Sequence, residues 1–473
     1  MMHNIAKRLI IVGIDGASYN LIKENAGRFK FLSSLLKSNN LKPLISTIPP
    51  STVPAWMSIF TGVNPGKHGY FGFTEQHNYE YRLVRFEECA VPRVWNILSN
   101  HGLKSVVINV PIVYPVEPIN GAMVAGMFSL SNKLDGKNIF PSHIIPLLRK
   151  SNYVIDIDVS ELKSLSTEEV YDKLSSTIEA RTETFKSLMD IFNAELGILV
   201  YTETDRVQHL YWYDKELVLR IYELVDKQIS ELLNHFDSPM IIVSDHGFRG
   251  VKRGVVGSLL LHELGYLKFR DDYYKLLLRA ILRKLKGYKP TIEYEVVDWS
   301  KTLAYFRRDT WGFILNLAGR QPNGIVSRKE SKSVLHRLIS TLKSTDFFDH
   351  FYKSSELYQG SFTHGAPDMI VIPKQDIKLL SLNEVAEVIG AGKLIERVMT
   401  IKEIIKEGDT VIAFDREFGE HDLMGIVGVH GGYLWVEPTI YDVAPSILEF
   451  FRVKAPSYVD GRRAIEFDIG GEL

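Results

Sequence analysis

The chain has 473 residues, of which 45% are hydrophobic and 24% are charged, and its formal net charge is -1 at pH 7. This composition is typical of a folded globular protein, and the charge gives no electrostatic reason to expect a nucleic-acid or anionic-membrane partner. The length exceeds one simple core and predicts one large domain with an insertion, or two to three domains. The single cysteine, Cys89, excludes an intramolecular disulfide and suits a reducing compartment.

The N-terminal segment resembles a short signal sequence, because Lys7 and Arg8 precede the apolar run LIIVGI. That run is ended by Asp15 and is followed by no small-residue cleavage site, so a buried strand is the preferred interpretation. No apolar run approaches the length of a membrane span. We therefore expect a cytoplasmic enzyme or binding protein.

Short apolar runs alternate with helical patterns along the chain. The runs are continuous rather than alternating, as in strands that are buried on both faces. They are RLIIVGI (8–14), SVVINV (105–110), LGILVY (196–201), MIIVS (240–244), MIVIP (369–373) and GIVGV (425–429), and helical patterns cover 27–38, 92–101, 167–193, 215–236 and 383–406. The pattern predicts an α/β fold with a mainly parallel sheet and helices on both faces, in which chemistry gathers at the carboxyl ends of strands.

The middle of the chain interrupts this alternation. It contains a basic stretch at 275–289 and two segments with the pattern of antiparallel strands, KTLAYF and WGFILNLAG. We expect residues 1–253 and 362–473 to form a catalytic α/β core, and residues 254–361 to form an inserted α+β cap that selects the substrate. The basic stretch is interpreted as a solvated cap helix, with a membrane or polyanion contact as the alternative.

Acidic and imidazole side chains fall where predicted strands meet loops. Asp205 and His209 are four residues apart and share a face on a helix, so they can bind one cation. Adjacent aspartate and histidine can serve one metal where the backbone turns sharply, which Gly247 permits. Each residue alone has an ordinary structural explanation, but the joint pattern favours a site. Its members are Asp15, Asp205, His209, Asp245, His246 and His421.

This ligand set has the composition of a two-metal centre. Nitrogen and oxygen ligands together suit zinc, with manganese as the alternative. Three carboxylates and three imidazoles exceed one tetrahedral zinc, and they suit two divalent ions about 3.5–4 Å apart, as used for displacement at phosphorus. The stretch PPSTVPAW adds two adjacent hydroxyls, Ser51 and Thr52, before a proline that suits the first turn of a helix. Such a helix N-terminus favours a bound phosphate.

Six segments together resemble a known family. They are IIVGIDG, PPSTVPAWMSIFTGVNPGKHG, TETDRVQHLYW, IIVSDHGF, APDMIVI and IYDVAPSILEFF, in that order. They are similar to the type I phosphodiesterase and nucleotide pyrophosphatase branch of the alkaline phosphatase superfamily. The resemblance covers most of the N-terminal half and the last hundred or so residues, and it implies an alkaline-phosphatase-like α/β core.

The resemblance also implies a role for each residue. In this branch the nucleophilic threonine precedes an x-Pro pair, which selects Thr52 and leaves Ser51 as a turn or cap residue. The last histidine ligand comes before an xxxGI strand, which favours His421 over His430. One metal would be held by Asp15, Asp245, His246 and Thr52, and the other by Asp205, His209 and His421.

The implied activity is hydrolysis of a small-molecule phosphodiester or nucleotide pyrophosphate bond through a phosphothreonine. Ala55 and Trp56 stand where diesterases often carry an asparagine, so they are predicted substrate contacts, with buried packing of Trp56 as the alternative. A phosphomonoesterase or phosphoryl-transferring mutase is the alternative within the superfamily. A non-catalytic metal-stabilised binding protein is the alternative from another class. The natural substrate and the oligomeric state do not follow from the sequence.

Overall fold

The computed structural model of the protein describes residues 8–129, 131–273, 275–276, 279, 295–382, 384–385 and 410–468. Most of the basic stretch 275–289 and of the helix predicted at 383–406 lies outside the described residues. The chain divides into two compact units. The first unit comprises Met1–Tyr70, Arg85–Arg249 and Phe418–Leu473, and the second comprises Phe71–Val84 and Gly250–Glu417.

A sheet of eight strands, counted over the described ranges, forms the centre of the first unit. Five of the six predicted apolar runs form its middle, where their apolar side chains are buried. In spatial order the strands are Leu41–Ile45, Met424–His430, Met240–Val243, Leu9–Ile14, Leu196–Tyr201, Ser105–Ile108, Gly121–Val124 and Ile139–Phe140.

Five neighbouring strands of this sheet, from Met240–Val243 to Gly121–Val124, run parallel. Met424–His430 is antiparallel to both of its neighbours, with Val427 opposite Val243 and Met424 opposite Ile45. The amino end of this strand therefore lies at the edge where the parallel strands have their carboxyl ends. Residues that precede it reach the same edge as residues that follow the parallel strands.

Helices accompany this sheet, and the two longest match the prediction within one residue. The helix Thr167–Phe192 begins with a capping box formed by Ser166 and Glu169, and Lys215–Phe236 begins at the Asp214 side chain, which accepts from the Leu217 amide. The other α-helices of this unit are Tyr19–Glu24, Phe31–Lys37, Thr52–Thr61, Pro65–His68, Val94–Asn100, Ile145–Lys150, Val159–Leu162, Glu203–Tyr211 and Val443–Phe450. Short 3₁₀ turns cover Ala26–Arg28, Phe86–Glu88, Ser142–Ile144 and Ile440–Asp442, and Gly432–Leu434 pairs with Ile465–Phe467.

The second unit contains a four-stranded antiparallel sheet. Its strands, in spatial order, are Ala304–Arg307, Gly312–Leu315, Met369–Pro373 and Phe348–Lys353. A hairpin joins Thr74–His77 to Glu80–Leu83, and a three-stranded sheet has the order Ile377–Leu380, Gly247–Val256 and Val411–Asp422. The helices are Gly257–Glu263, Ser331–Lys343 and Ser354–Leu357, with 3₁₀ turns at Trp299–Lys301, Arg308–Thr310 and Thr363–Gly365.

The predicted α/β fold is confirmed, with one strand misassigned. The expectation that MIVIP belongs to the α/β core is wrong, because Met369–Pro373 pairs antiparallel with Gly312–Leu315 and Phe348–Lys353. A continuous apolar run has the same pattern in any fully buried strand, so the pattern does not identify the sheet. The predicted insert 254–361 lies within the second unit, which also includes Phe71–Val84 and residues 250–253 and 362–417. Among the described helices, none has the length and apolar character that crossing a membrane requires.

Candidate active site

Four neighbouring strands of the main sheet deliver the predicted ligand residues to one edge. Asp15 directly follows Leu9–Ile14, and Asp245 and His246 follow Met240–Val243. Asp205 lies on the helix Glu203–Tyr211, which begins just after Leu196–Tyr201. His421 precedes Met424–His430, whereas His430 lies opposite Met240 at the other edge of the sheet. The structure thus brings His421, and not His430, to the other five.

The first group of side chains, called the Asp15 cluster, consists of Asp15, Asp245 and His246. One ligand atom from each residue lies within 4.8 Å of the others, and all three side chains are fully buried. The Nε2 atom of His246 is 3.1 Å from Oδ2 of Asp245 and 3.8 Å from Oδ1 of Asp15. The Nδ1–H of His246 donates to the Gly247 carbonyl at 3.1 Å, which leaves Nε2 as a lone-pair donor to a cation.

Each carboxylate of this cluster has one oxygen held by the protein and one without a hydrogen bond. Oδ2 of Asp15 accepts from the Trp56 indole at 3.0 Å, and Oδ1 of Asp245 accepts from the Gly16 amide at 3.1 Å. Oδ1 of Asp15 and Oδ2 of Asp245 are buried and accept no hydrogen bond from the described residues. Buried carboxylate oxygens without a donor are costly unless a cation compensates them.

The second group, called the Asp205 cluster, consists of Asp205, His209 and His421. The Nε2 atoms of the two imidazoles are 2.9 Å apart, and they lie 3.3 Å and 3.4 Å from Oδ1 of Asp205. The Nδ1–H of His421 donates to the Pro50 carbonyl at 2.8 Å, so its Nε2 carries a lone pair toward the cluster. The His209 side chain is 31% exposed, so this cluster has an open side.

The electrostatics of the two clusters fit divalent cations. Burial, together with the charges of neighbouring carboxylates, raises the pKa of Asp15 well above its ordinary value, and burial likewise raises the pKa of Asp245. Burial also acts on Asp205, but the imidazoles of His209 and His421 outweigh it and hold the pKa of this carboxyl well below its ordinary value. A cation at each cluster would stabilise the ionised carboxylates that burial disfavours, so these residues fit two divalent ions.

Thr52 is the first residue of the helix Thr52–Thr61 and lies against the Asp15 cluster. Its Oγ1 is 3.2 Å from Nε2 of His246, and the residue is 1% exposed. Ser51 precedes the helix, but its side chain caps no amide, and its buried Oγ has no hydrogen-bond partner among the described residues. Ser51 is therefore the N-cap residue by position only, and its carbonyl accepts the first hydrogen bond of the helix, from the Ala55 amide.

The predicted substrate contacts at Ala55 and Trp56 are not accessible. Both residues are fully buried, and the Trp56 ring stacks on Phe60 with 5.8 Å between centroids. The indole N–H is already bonded to Asp15, so Trp56 supports a ligand residue instead of presenting a free ring. This correction follows from tertiary packing, because an indole that stacks on a ligand and one that packs in a core have the same local sequence.

Gly247 was predicted to permit a sharp backbone turn after Asp245, but the structure gives a different reason for the glycine. Gly247 does not adopt a left-handed conformation. A Cβ atom at this position would lie 2.1 Å from the Met424 carbonyl oxygen. Glycine is therefore required for the close approach of these two backbone segments. That approach brings the segment containing His246 alongside the strand that His421 precedes.

Several supporting residues were not predicted from the sequence. The Thr204 hydroxyl donates to the Asp15 carbonyl at 2.6 Å, and the Gln208 amide donates to the Gly16 carbonyl at 3.0 Å. Phe248 packs against the imidazoles of both clusters. These residues lie within the segments TETDRVQHLYW and IIVSDHGF, and membership of those family-like segments is the sequence feature that could have identified them.

A buried ion pair supports the helix of the Asp205 cluster. Nη1 of Arg181 lies 2.8 Å from Oε1 of Glu203, and both side chains are almost fully buried. The same guanidinium donates to the Thr202 hydroxyl at 2.9 Å and to the Ile155 carbonyl at 3.0 Å. These contacts fix the first turn of the helix that carries Asp205 and His209.

Comparison with known proteins gives the family. The sequence profile described as "Type I phosphodiesterase / nucleotide pyrophosphatase" matches residues 9–390. A search of curated protein sequences finds no match.

Solved structures share the fold at low sequence identity. Phosphonoacetate hydrolase from Sinorhizobium meliloti 1021, in complex with phosphonoacetate, has a TM-score of 0.60 at 15% identity, covering 95% of this chain and 96% of that chain. Wild-type alkaline phosphatase PafA has a TM-score of 0.57 at 12% identity, covering 96% of this chain and 98% of that chain. Murine ectonucleotide pyrophosphatase / phosphodiesterase 5, an inactive threonine-to-alanine variant in complex with AMP, has a TM-score of 0.51 at 11% identity, covering 96% of each chain.

The chain therefore shares the fold of these solved structures, and the family profile extends over most of the sequence. The chain belongs to the type I phosphodiesterase/nucleotide pyrophosphatase family and is a phosphoester hydrolase.

Proposed function

We propose that this chain hydrolyses phosphodiester or nucleotide pyrophosphate bonds of small molecules, with Thr52 as the nucleophile. The observation that carries the proposal is the position of Thr52, whose Oγ1 lies 3.2 Å from Nε2 of His246 beside two buried groups of metal-ligand residues. The inactive threonine-to-alanine variant of the murine structural relative supports a threonine in this role.

In the proposed reaction, the Thr52 oxygen forms a bond to phosphorus as the bond to the leaving oxygen breaks. The Thr52 proton passes to solvent, and the leaving oxygen takes a proton to become an alcohol or a phosphate. Water then attacks the phosphothreonine, which releases a phosphate monoester and restores the Thr52 hydroxyl. The amides of Thr52 and Val53, at the start of the helix Thr52–Thr61, would donate hydrogen bonds to the developing charge on the phosphoryl oxygens.

Two divalent cations would supply charge neutralisation at phosphorus and a lowered pKa of the attacking hydroxyl. Asp15, Asp245, His246 and Thr52 would hold one of them, and the Asp205 cluster would hold the other. The mixed nitrogen and oxygen ligands favour zinc, with manganese as the alternative.

A diester preference is supported by the engagement of Arg206, the arginine beside Asp205 in the chain. Arg206 follows Asp205 in the chain, but its guanidinium donates twice to the Asp156 carboxylate, at 3.0 Å and 3.1 Å. A diester carries one negative charge less than a monoester and requires less cationic compensation from the protein. Substrate selection by the insert and a cytoplasmic location remain predictions.

The test compares two neighbouring hydroxyls in metal-replete protein. Thr52→Ala is expected to lower kcat/KM for bis(p-nitrophenyl) phosphate by about 10³-fold or more, because the covalent step is lost. The matched variant Ser51→Ala removes a hydroxyl from the adjacent residue and is expected to lower it by less than about 10-fold. Near-normal turnover by the Thr52 variant would contradict the proposal.

The same assay separates the competing functions. A strong preference of the parent protein for p-nitrophenyl phosphate would favour a phosphomonoesterase and overturn the diester preference. Stoichiometric metal content without hydrolysis of any ester in a broad panel would favour the non-catalytic binding protein.

A further inference from the structure

We infer that Trp56 is a positioning residue for the metal-ligand carboxylate of Asp15. The inference rests on the proposed metal site and gives Trp56 a role as a support for a ligand residue. The indole N–H donates to Oδ2 of Asp15 at 3.0 Å, and Oδ1 is left buried without a hydrogen bond. The indole thereby fixes the rotation of the carboxylate and directs its free oxygen to the cation.

The helix that carries Trp56 also carries the proposed nucleophile. Thr52 and Trp56 are four residues apart on Thr52–Thr61, so they lie on the same face, one turn from each other. A single rigid element therefore places Oγ1 of Thr52 next to His246 and the indole N–H next to Asp15. The spacing between the nucleophile and the indole that holds Asp15 is therefore set by one helical turn and not by a loop.

Packing holds the indole in one orientation. Trp56 is fully buried, and its ring is nearly parallel to that of Phe60, with an interplanar angle of 13°. On the opposite element, the first strand carries Gly13 two residues before Asp15, where a Cβ atom would lie 2.5 Å from Cη2 of Trp56. The strand that Asp15 directly follows thus also leaves space, at Gly13, for the indole ring that orients the Asp15 carboxylate.

The other carboxylate of the Asp15 cluster is held in the same way by a different donor. Oδ1 of Asp245 accepts from the Gly16 backbone amide, and its Oδ2 has no hydrogen-bond partner among the described residues. Two independent donors therefore leave one free oxygen on each carboxylate. Trp56 is the donor that a side-chain substitution can remove, and outer partners of this kind typically contribute about 10–100-fold to metal affinity.

The test is the affinity of the full-length protein for zinc, measured by competition with a chromogenic chelator. Trp56→Phe removes the N–H and is expected to weaken the tighter of the two zinc equivalents by about 10–100-fold. The control is Trp95→Phe, because Trp95 is also fully buried, packs on Phe60 and donates to a carboxylate, Oε1 of Glu117, at 2.7 Å. This control is expected to lose comparable thermal stability and to keep the zinc affinity of the parent.

Equal zinc affinities in the two variants would overturn the inference. Absence of stoichiometric zinc binding in the parent protein would instead contradict the proposed metal site, so the two failures are distinguishable. If Trp56→Phe does not fold, incorporation of β-(3-benzothienyl)alanine at position 56 keeps the ring shape and replaces N–H by sulfur. A parental zinc affinity in that protein would also overturn the inference.

Discussion

The two ligand clusters differ in how completely the protein surrounds them. In the Asp15 cluster all three side chains are fully buried, and each carboxylate has one oxygen held by an N–H donor. In the Asp205 cluster, the His209 side chain is 31% exposed. The first cluster is therefore preorganised and shielded from water, whereas the second is open to exchange with solvent and ligands.

The clusters also differ in the elements that build them. The Asp15 cluster comes from residues within three positions of the ends of two adjacent parallel strands, whose register fixes the backbone. Two of the three residues of the Asp205 cluster come from one helix, whose first turn is held by the buried pair of Arg181 and Glu203. We expect the first cluster to bind its metal more tightly, and the second to depend on the support of its helix.

Among changes to the two clusters, the largest expected effect comes from removing one ligand residue from either of them. Asp245→Asn is expected to remove one metal equivalent and to lower kcat/KM by more than about 100-fold, since outer partners alone cost about 10–100-fold. His209→Ala is expected to remove the other equivalent while the Asp15 cluster stays loaded. Metal analysis after desalting, together with kinetics on a diester, measures both effects.

The comparison fails if either variant loses both metal equivalents, because the clusters then bind cooperatively. The assignment of one metal to each cluster is also wrong if both variants retain two metal equivalents after dialysis. In the expected outcome, chelator treatment of the parent protein removes the metal in two phases, and His209→Ala lacks the faster one.

A second prediction concerns the support of the Asp205 cluster. Glu203→Ala leaves the buried Arg181 guanidinium without its carboxylate and is expected to lower the free energy of unfolding by about 3–5 kcal/mol. The control is Glu168→Ala, which breaks the exposed pair with Arg220 and is expected to cost about 0–1 kcal/mol. Thermal unfolding of the metal-free proteins measures both, and equal losses would contradict the assigned support.

The sequence predicted the positions of the ligands because a continuous apolar run that ends at a charged residue marks a buried strand and its edge. This argument identified Asp15 and Asp245 at the ends of their strands. The choice of His421 over His430 came from the family resemblance. The structure explains the choice by the antiparallel direction of Met424–His430, which no local pattern reports.

Other features depend on contacts between residues that are distant in the chain. The role of Trp56 is set by its approach to Asp15, which is 41 residues away in sequence. Glycine is required at position 247 because any side chain there would collide with the Met424 carbonyl, which only the packed structure reveals. Grouping Met369–Pro373 with the α/β core failed because burial on both faces occurs in parallel and antiparallel sheets alike.

The smallest effect is expected from replacing His68, which tests whether burial alone is enough to make a histidine a metal ligand. His68 is fully buried, like His246, but both of its ring nitrogens have protein partners. Its Nδ1 accepts from the Tyr70 amide at 3.2 Å, so its Nε2–H faces the Ser58 hydroxyl at 3.1 Å. Because no lone pair is left free, we expect His68→Gln to keep the full metal content of the parent.

The same histidine predicts a pH dependence of stability. Burial lowers the pKa of His68 from 6.5 to about 3, although the Pro54 carbonyl and the Asp460 charge oppose the shift. As pH falls below 6.5, the unfolded chain binds a proton that the folded protein excludes, so stability decreases with falling pH down to about 3. At pH 5.5 the loss from this group is about 1 kcal/mol.

Melting temperatures of the metal-free parent and of His68→Gln at pH 7.5 and 5.5 measure this contribution. The variant is expected to show a smaller decrease between the two pH values. An equal decrease would contradict the contribution of His68 to the pH dependence, and a loss of metal from the variant would contradict the expectation that His68 is not a ligand.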